Sequence, residues 1–287
     1  MKLIAQVKLQ TTVEQAESLK RTLEAANAAA NYISDTAWRQ HSFRQYDLHK
    51  FTYYAVRENF GLSAQVAVRV IAKVANAYKL DKRSKRTFRP HGSIAYDDRI
   101  LSWKLDSRIV SLWTLDGRVK LPFVAGTRQL KLLETRQGEA DLVYCNGGFY
   151  LFQTCDIDEP EPSDIDGYLG VDLGVANIAV DSDGVVFQGN VVKNVRHRHR
   201  RLRAKLQRKG TKSTRRRLKK RSGKERRFAT WVNHNISKSI VAKAKDTARG
   251  IALEELTHIR KRVTARKPQR ATLHSWSFAQ LRSFMEL

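Results

Sequence analysis

Apolar and polar positions alternate over residues 2 to 9, with Leu3, Ala5, Val7 and Leu9 on one side, which predicts a β-strand. Thr11 and Glu14 stand at the spacing of a capping box, so a helix is expected to start there. Ala16, Leu19, Leu23, Ala26, Ala30, Ile33 and Ala37 then recur at alternating intervals of three and four, lining one face of a long helix. The small Ala side chains in that stripe imply close helix packing. A second helix is predicted from about Tyr46 to Asn59. A third, after Gly61-Leu62-Ser63, runs through Val66, Val70 and Val74 to Tyr78.

From Phe88 the period becomes two. Ile94 to Tyr96, Ile100 to Leu105, Ile109 to Thr114 and Val119 to Phe123 read as a β-meander with an Asp116-Gly117 hairpin turn. Leu142 to Tyr144 and Phe149 to Thr154 flank Asn146-Gly147-Gly148 as a further hairpin. Short strands at regular spacing suggest a small barrel or sandwich. The first strand is expected to join it, leaving residues 11 to 80 as a helical insertion. Asp156 to Asp166, acidic and containing Pro160 and Pro162, reads as a linker between a first domain at 1–160 and a second at 166–287.

Past the linker, Tyr168 to Asp172 is a buried-type strand ending in a carboxylate. Leu173 to Val180 forms a second strand, and the Asp183-Gly184 turn leads into a third at Val185 to Phe187. A helix from Trp231 to Ala248, with Ile236, Ile240, Val241 and Ala244 inward, precedes Gly250 to Leu256, a strand ending in acids. Three antiparallel strands, a helix and a parallel strand begin an RNase H-like fold, in which acids on the first and fourth strands meet to hold Mg²⁺. Hard cations need such anionic oxygen ligands to activate water and stabilise the leaving oxygen of a phosphodiester.

Charge adds a partner. The 287 residues hold 54 Lys and Arg against 28 Asp and Glu, a net charge of +26. Residues 193 to 227 alone contain 19 Lys and Arg against one acid, Glu225. A like-charge block is by default a solvated tail. Here Val195, Leu202, Leu206 and Leu218 are interleaved, which favours a basic helical hairpin turning at Lys209-Gly210-Thr211-Lys212-Ser213. Such density is tolerable beside phosphates, so nucleic acid is the expected ligand. The candidate contacts are Arg196, Arg198, Arg200, Arg201, Arg203, Lys205, Arg208, Lys212, Arg215, Arg216, Arg217, Lys219, Lys220, Arg226 and Arg227. His197 and His199 read as helix-surface groups beside phosphate, because no acid accompanies them as a metal ligand would need. A second basic cluster, Arg260, Lys261, Arg262, Arg266, Lys267 and Arg270, argues for the same ligand or a second strand.

No Gly-rich phosphate loop and no Ser/His/Asp set competes with the carboxylates. Cys145 and Cys155 are the only cysteines, so there is no disulfide framework and no Cys-x-x-Cys half-site for zinc. No apolar run approaches the ~20 residues that span a bilayer, and the first residues lack a signal-peptide core. A soluble, cytoplasmic protein without a membrane partner is expected, associated with the nucleoid of a prokaryote.

At these residues the sequence resembles the TnpB family, the transposon-encoded RNA-guided DNA nucleases related to type V CRISPR effectors. Gly170-Val171-Asp172-Leu173-Gly174 is similar to that family's first RuvC motif, and Ile251-Ala252-Leu253-Glu254-Glu255-Leu256 to its second. Asn233-His234-x-Ile236-Ser237-Lys238 and Trp276-Ser277-Phe278-x-x-Leu281 fit the segments around the second, and residues 88 to 123 look like the family's N-terminal half. The resemblance implies an α+β multidomain chain. A wedge or OB-like β-barrel with a helical recognition insertion would be followed by an incomplete RNase H-like (RuvC) α/β domain with a basic helical insertion at about 192–249. It implies an RNA-guided DNA endonuclease from a transposable element, with guide RNA and target double-stranded DNA as partners. Asp172 and Glu254 would be its catalytic ligands for Mg²⁺, with Mn²⁺ as a substitute. The family continues through a zinc ribbon to a third catalytic Asp, whereas no Asp follows Glu255 here and the sequence stops at Leu287. A C-terminally shortened member is therefore expected, without a zinc site, binding nucleic acid and cutting DNA poorly or not at all. The other readings are a nuclease-dead RNA-guided repressor, an inactive gene fragment, and a guide-independent basic RNA-binding protein.

Overall fold

The computed structural model of the chain describes residues 1–159, 164–256, 259, 263–264 and 276–286. The second basic cluster, Arg260 to Arg270, lies outside the described residues. The chain is mixed α/β and divides into two compact units, Met1–Pro160 and Glu161–Leu287.

The first unit is built on strand β1 (Lys2–Leu9), three helices α1 (Val13–Arg39), α2 (Gln45–Phe60) and α3 (Ala64–Leu80), and strands β2 (Ile94–Tyr96), β3 (Leu101–Lys104), β4 (Ile109–Thr114) and β5 (Gly117–Val124). A short helix α4 (Thr127–Glu134) and the long hairpin β6 (Arg136–Cys145) and β7 (Gly148–Asp156) complete it. The strands form a barrel-like seven-stranded sheet in the order β2-β6-β7-β1-β5-β4-β3. Strand β1 does join the sheet, at its centre, pairing antiparallel with β7 from Lys2↔Asp156 to Lys8↔Tyr150 and with β5 at Leu9↔Phe123. At the β6–β7 turn Asn146 and Gly147 both have positive φ, +52° and +80°, the geometry of a tight two-residue hairpin that Asn-Gly supplies with least strain.

The stripe Leu19, Leu23, Ala26, Ala30, Ile33 and Ala37 is fully buried, and α1 packs on α2 and α3. Each buried Leu or Ile removes enough apolar surface from water to contribute ~1.5–3 kcal/mol before entropy is set against it. The cap sits one residue later than the sequence spacing suggests. Thr12, not Thr11, accepts from the Gln15 amide at 3.3 Å, and the Gln15 side chain accepts from the Thr12 amide at 3.1 Å. Thr12 wins because it is the residue directly before the first helical position, Val13.

The second unit holds strands β8 (Tyr168–Asp172), β9 (Asn177–Asp181) and β10 (Val186–Gln188), three helices α5 (Asn190–Lys209), α6 (Lys212–Arg221) and α7 (Lys224–Asp246), strand β11 (Gly250–Leu253) and helix α8 (Phe278–Met285). The sheet order is β10-β9-β8-β11, antiparallel except that β11 runs parallel to β8. Leu169, Val171 and Ala179 from the sheet share a core with Ile236, Ile240 and Ala244 of α7 and Leu281 of α8. Three expectations move. Strand β9 begins at Asn177 rather than Leu173, because Leu173 to Ala176 turn the chain. Strand β11 ends at Leu253, before the acids. The helix expected from Trp231 already starts at Lys224, after Gly223 adopts φ +76°, so Arg226 and Arg227 belong to α7.

Candidate metal centre and nucleic-acid interface

In β8 the buried Leu169 and Val171 alternate with outward positions, so Asp172 is exposed at the strand's end. The parallel register Leu253↔Val171 carries Glu254 to the place beside Asp172. There the Glu254 Oε1 accepts from the Leu173 amide at 3.1 Å. Both carboxylates are exposed, at adjacent strand ends. The turn that follows needs Gly174, since a Cβ there would stand 2.7 Å from the Asn177 carbonyl oxygen. Among the described residues no group of three or more His, Cys, Asp or Glu gathers as a metal site. The arrangement is therefore a two-carboxylate pair.

A nearby acid has a different role. Asp181 pairs with Val171, on the buried side of the sheet, whereas Asp172 pairs with Val180. Asp181 is 3% exposed; it accepts from the Lys243 ammonium at 2.6 Å and from the amides of Val185 and Asp183 at 2.9 and 3.1 Å. Burial pushes its carboxyl upward, but the Lys243 ammonium and these amides outweigh that and hold it below the usual Asp value. Asp183 takes Arg249 at 2.6 Å and Lys243 at 2.8 Å, and these two cations, Arg249 foremost, hold it well below the usual range. This cluster fastens the end of β9 to α7 and engages both carboxylate oxygens of Asp181.

The basic run forms α5, α6 and the first turns of α7. Gly210, at φ +63°, ends α5, and the Thr211 side chain caps α6 by accepting from the Thr214 amide at 3.3 Å. Arg198, Arg200, Arg201, Arg203, Lys205, Arg208, Lys212, Arg215, Arg216, Arg217, Lys219, Lys220, Arg226 and Arg227 are all exposed, and Arg196 is half-buried. Glu225 faces Arg203 at 3.2 Å and Arg196 at 3.8 Å, which ties α7 to α5. Leu206 of α5 is buried, while Leu202 and Leu218 are half-buried around a hollow of about 290 Å³ between the helices. Thus the interleaved leucines hold the helices and the cations are left to solvent. His197 is exposed on α5 and His199 is half-buried beside that hollow. Lys193, Lys209 and Lys224 are exposed in the same run and widen the set of cations open to solvent.

The OrfB_IS605 family model, described as a probable transposase, matches residues 152–257, a span that contains both Asp172 and Glu254. No curated protein matches the chain. Among solved structures, one titled as a cryo-EM structure of the Cas12f1-sgRNA-target DNA complex is similar over 93% of this chain and 70% of that chain, with a TM-score of 0.54 and 11% identity. The likeness at that identity is one of fold. No helix among the described residues is long and apolar enough to cross a membrane. The chain is thus similar to a probable-transposase family over residues 152–257 and, in fold, to a Cas12f1 over nearly its whole length, two likenesses that support a TnpB-like protein.

Proposed function

We propose that the chain is an RNA-guided DNA nuclease of the TnpB type, with a RuvC-like second unit. The observation that carries this reading is the placement of Asp172 and Glu254 at neighbouring parallel strand ends, with Glu254 held by the amide of Leu173, the residue after Asp172. Two exposed carboxylates are a hard oxygen donor set that suits Mg²⁺, which is commonly held by one or two carboxylates together with substrate phosphates. Asp172 and Glu254 would hold it, and its contribution when bound would be to activate water and offset charge on the leaving oxygen of a phosphodiester. The Leu173 amide fixes the rotamer of Glu254, and the closely packed Gly174 turn keeps Asp172 at the strand's tip.

The exposed cations of α5, α6 and α7 would hold the phosphate backbone of guide RNA and target DNA, contributing affinity and register. Sequence would be read by base pairing with the guide. The similar solved structure is a complex with RNA and target DNA, which supports the same pair of partners here.

The test is to purify the chain with RNA transcribed from its own locus and to incubate it with matching double-stranded DNA and Mg²⁺ or Mn²⁺. Guide-dependent cleavage that disappears in Asp172→Ala and in Glu254→Gln supports the nuclease reading. Guide-dependent binding without cleavage moves it to an RNA-guided binder. Failure to bind RNA at moderate salt would sink the reading altogether.

A further inference from the structure

The solvent face of α2 carries a chemistry that neither the carboxylates nor the basic helices use. Tyr46, His49, Lys50, Tyr53, Tyr54 and Arg57 follow one another in steps of three and one, which gathers them on one arc of the helix. Leu48, Thr52 and Val56 occupy the opposite arc and are fully buried. Tyr46 and Tyr54 are 70% and 72% exposed.

The rings and cations on this arc are already organised. The Lys50 ammonium lies 4.6 Å from the centre of the Tyr46 ring, and the Arg57 guanidinium 5.6 Å from that of Tyr53. His49 and Tyr53 stack with centroids 4.5 Å apart and planes 19° from parallel, and Tyr54 meets Tyr53 edge-on at 5.3 Å. The acids of α2 border the arc on the Tyr54 side: Glu58 is exposed one turn beyond Tyr54, and Asp47 accepts from the Ser42 hydroxyl at 3.0 Å.

We propose that this face of α2 is a stacking platform for unpaired bases of a single-stranded nucleic acid. Large rings left in water on a helix whose buried face is complete are the signature of a docking surface. The chemistry selects the occupant. Every base has a π-face that a tyrosine can stack on, and the interleaved cations neutralise the phosphates of the same strand. Within the arc the charges are the cations Lys50 and Arg57, and the acids stand only at its edge. Eight residues of helical rise separate Tyr46 from Tyr54, about 12 Å, which spans about three base steps. The inference rests on nucleic acid being this chain's partner and does not depend on the carboxylate pair.

The experiment irradiates the full chain with a short single-stranded oligonucleotide carrying 5-iodouracil and maps the crosslinked peptides by mass spectrometry. Crosslinks at Tyr46 or Tyr54 are expected. The double variant Tyr46→Ala/Tyr54→Ala should lose them and bind the single strand about tenfold more weakly, with little change for a duplex of the same sequence. Both positions are on the surface, so the variant should retain the wild-type unfolding midpoint. An equal loss for single strand and duplex would overturn the proposal, because the face would then be reading backbone alone. Crosslinks confined to residues 190–246 would overturn it and leave the basic-helix reading standing. No binding of any oligonucleotide would overturn both.

Discussion

Glu254 accepts a 3.1 Å hydrogen bond from the amide of Leu173, the residue that follows Asp172. One carboxylate is thus oriented by the backbone of the turn that follows the other. Asp172→Asn removes a charge from an exposed position without touching the core. We expect it to weaken Mn²⁺ binding, followed by electron paramagnetic resonance, by about tenfold or more while thermal stability and RNA affinity stay at wild-type values. Unchanged Mn²⁺ affinity would remove Asp172 from the proposed site.

Replacing Arg215, Arg216 and Arg217 with Ala takes three exposed cations from α6 and no buried contact. If each meets one phosphate of a single strand, the slope of log affinity against log salt should fall by about two units. Weakening should be similar for unrelated sequences, because phosphate contacts carry no base information. Filter binding between low and moderate salt measures both.

Below neutral pH the Asp181, Asp183, Lys243 and Arg249 cluster should set the stability of the second unit. Both carboxyls have folded pKa values below the unfolded value of ~3.9, so the unfolded state takes up protons first as pH falls. Their contribution is complete above that value and is lost as pH falls through the folded pKa values. Lys243→Ala should lower the urea midpoint at pH 7 and reduce its fall between pH 5 and pH 3. A wild-type profile in the variant would mean that the ion pairs are not made in solution.

Lys73 makes the opposite prediction in the first unit. Its ammonium donates to Asn27 Oδ1 and the Ser93 carbonyl, both at 2.7 Å, and burial brings its pKa down to about 8 against a weaker upward pull from Asp141. An unfolded Lys titrates near ~10.4, so between about pH 8 and 10 the unfolded state holds the extra proton and stability rises with pH. Lys73→Met should flatten that rise relative to wild type in urea unfolding.

What the sequence disclosed follows from how far apart the interacting residues are. The α1 stripe, the Asn146-Gly147 turn and the strand ending at Asp172 are local patterns, and each appears in the structure. Strand order predicts that β11 lies parallel beside β8, and the register Leu253↔Val171 has that arrangement. The role of Asp181 was invisible, because its partner Lys243 lies 62 residues away. Helix α4 escaped notice because Thr127–Glu134 has only eight residues, of which Leu133 alone is buried. Strand β6 was read too short because its first four residues, Arg136 to Glu139, are exposed and show no alternation. The aromatic arc of α2 is illegible for another reason: apolar periodicity marks a helix's buried face and carries no information about the opposite one.

The central place of β1 has a consequence for how the chain emerges from the ribosome. Its partners are Phe123 and Val124 on one side and Tyr150 to Asp156 on the other, so β1 has no mate until most of the first unit has been synthesised. Helices α1, α2 and α3 close through contacts nearer in sequence and can assemble meanwhile, whereas the sheet carries a long loop-closure cost. During that interval β1 exposes two unsatisfied edges with Ala5, Val7 and Leu9 along one face, a template for another chain's strand. A ribosome pausing before residue 156 would lengthen that vulnerable interval, and faster translation of residues 136 to 156 would shorten it.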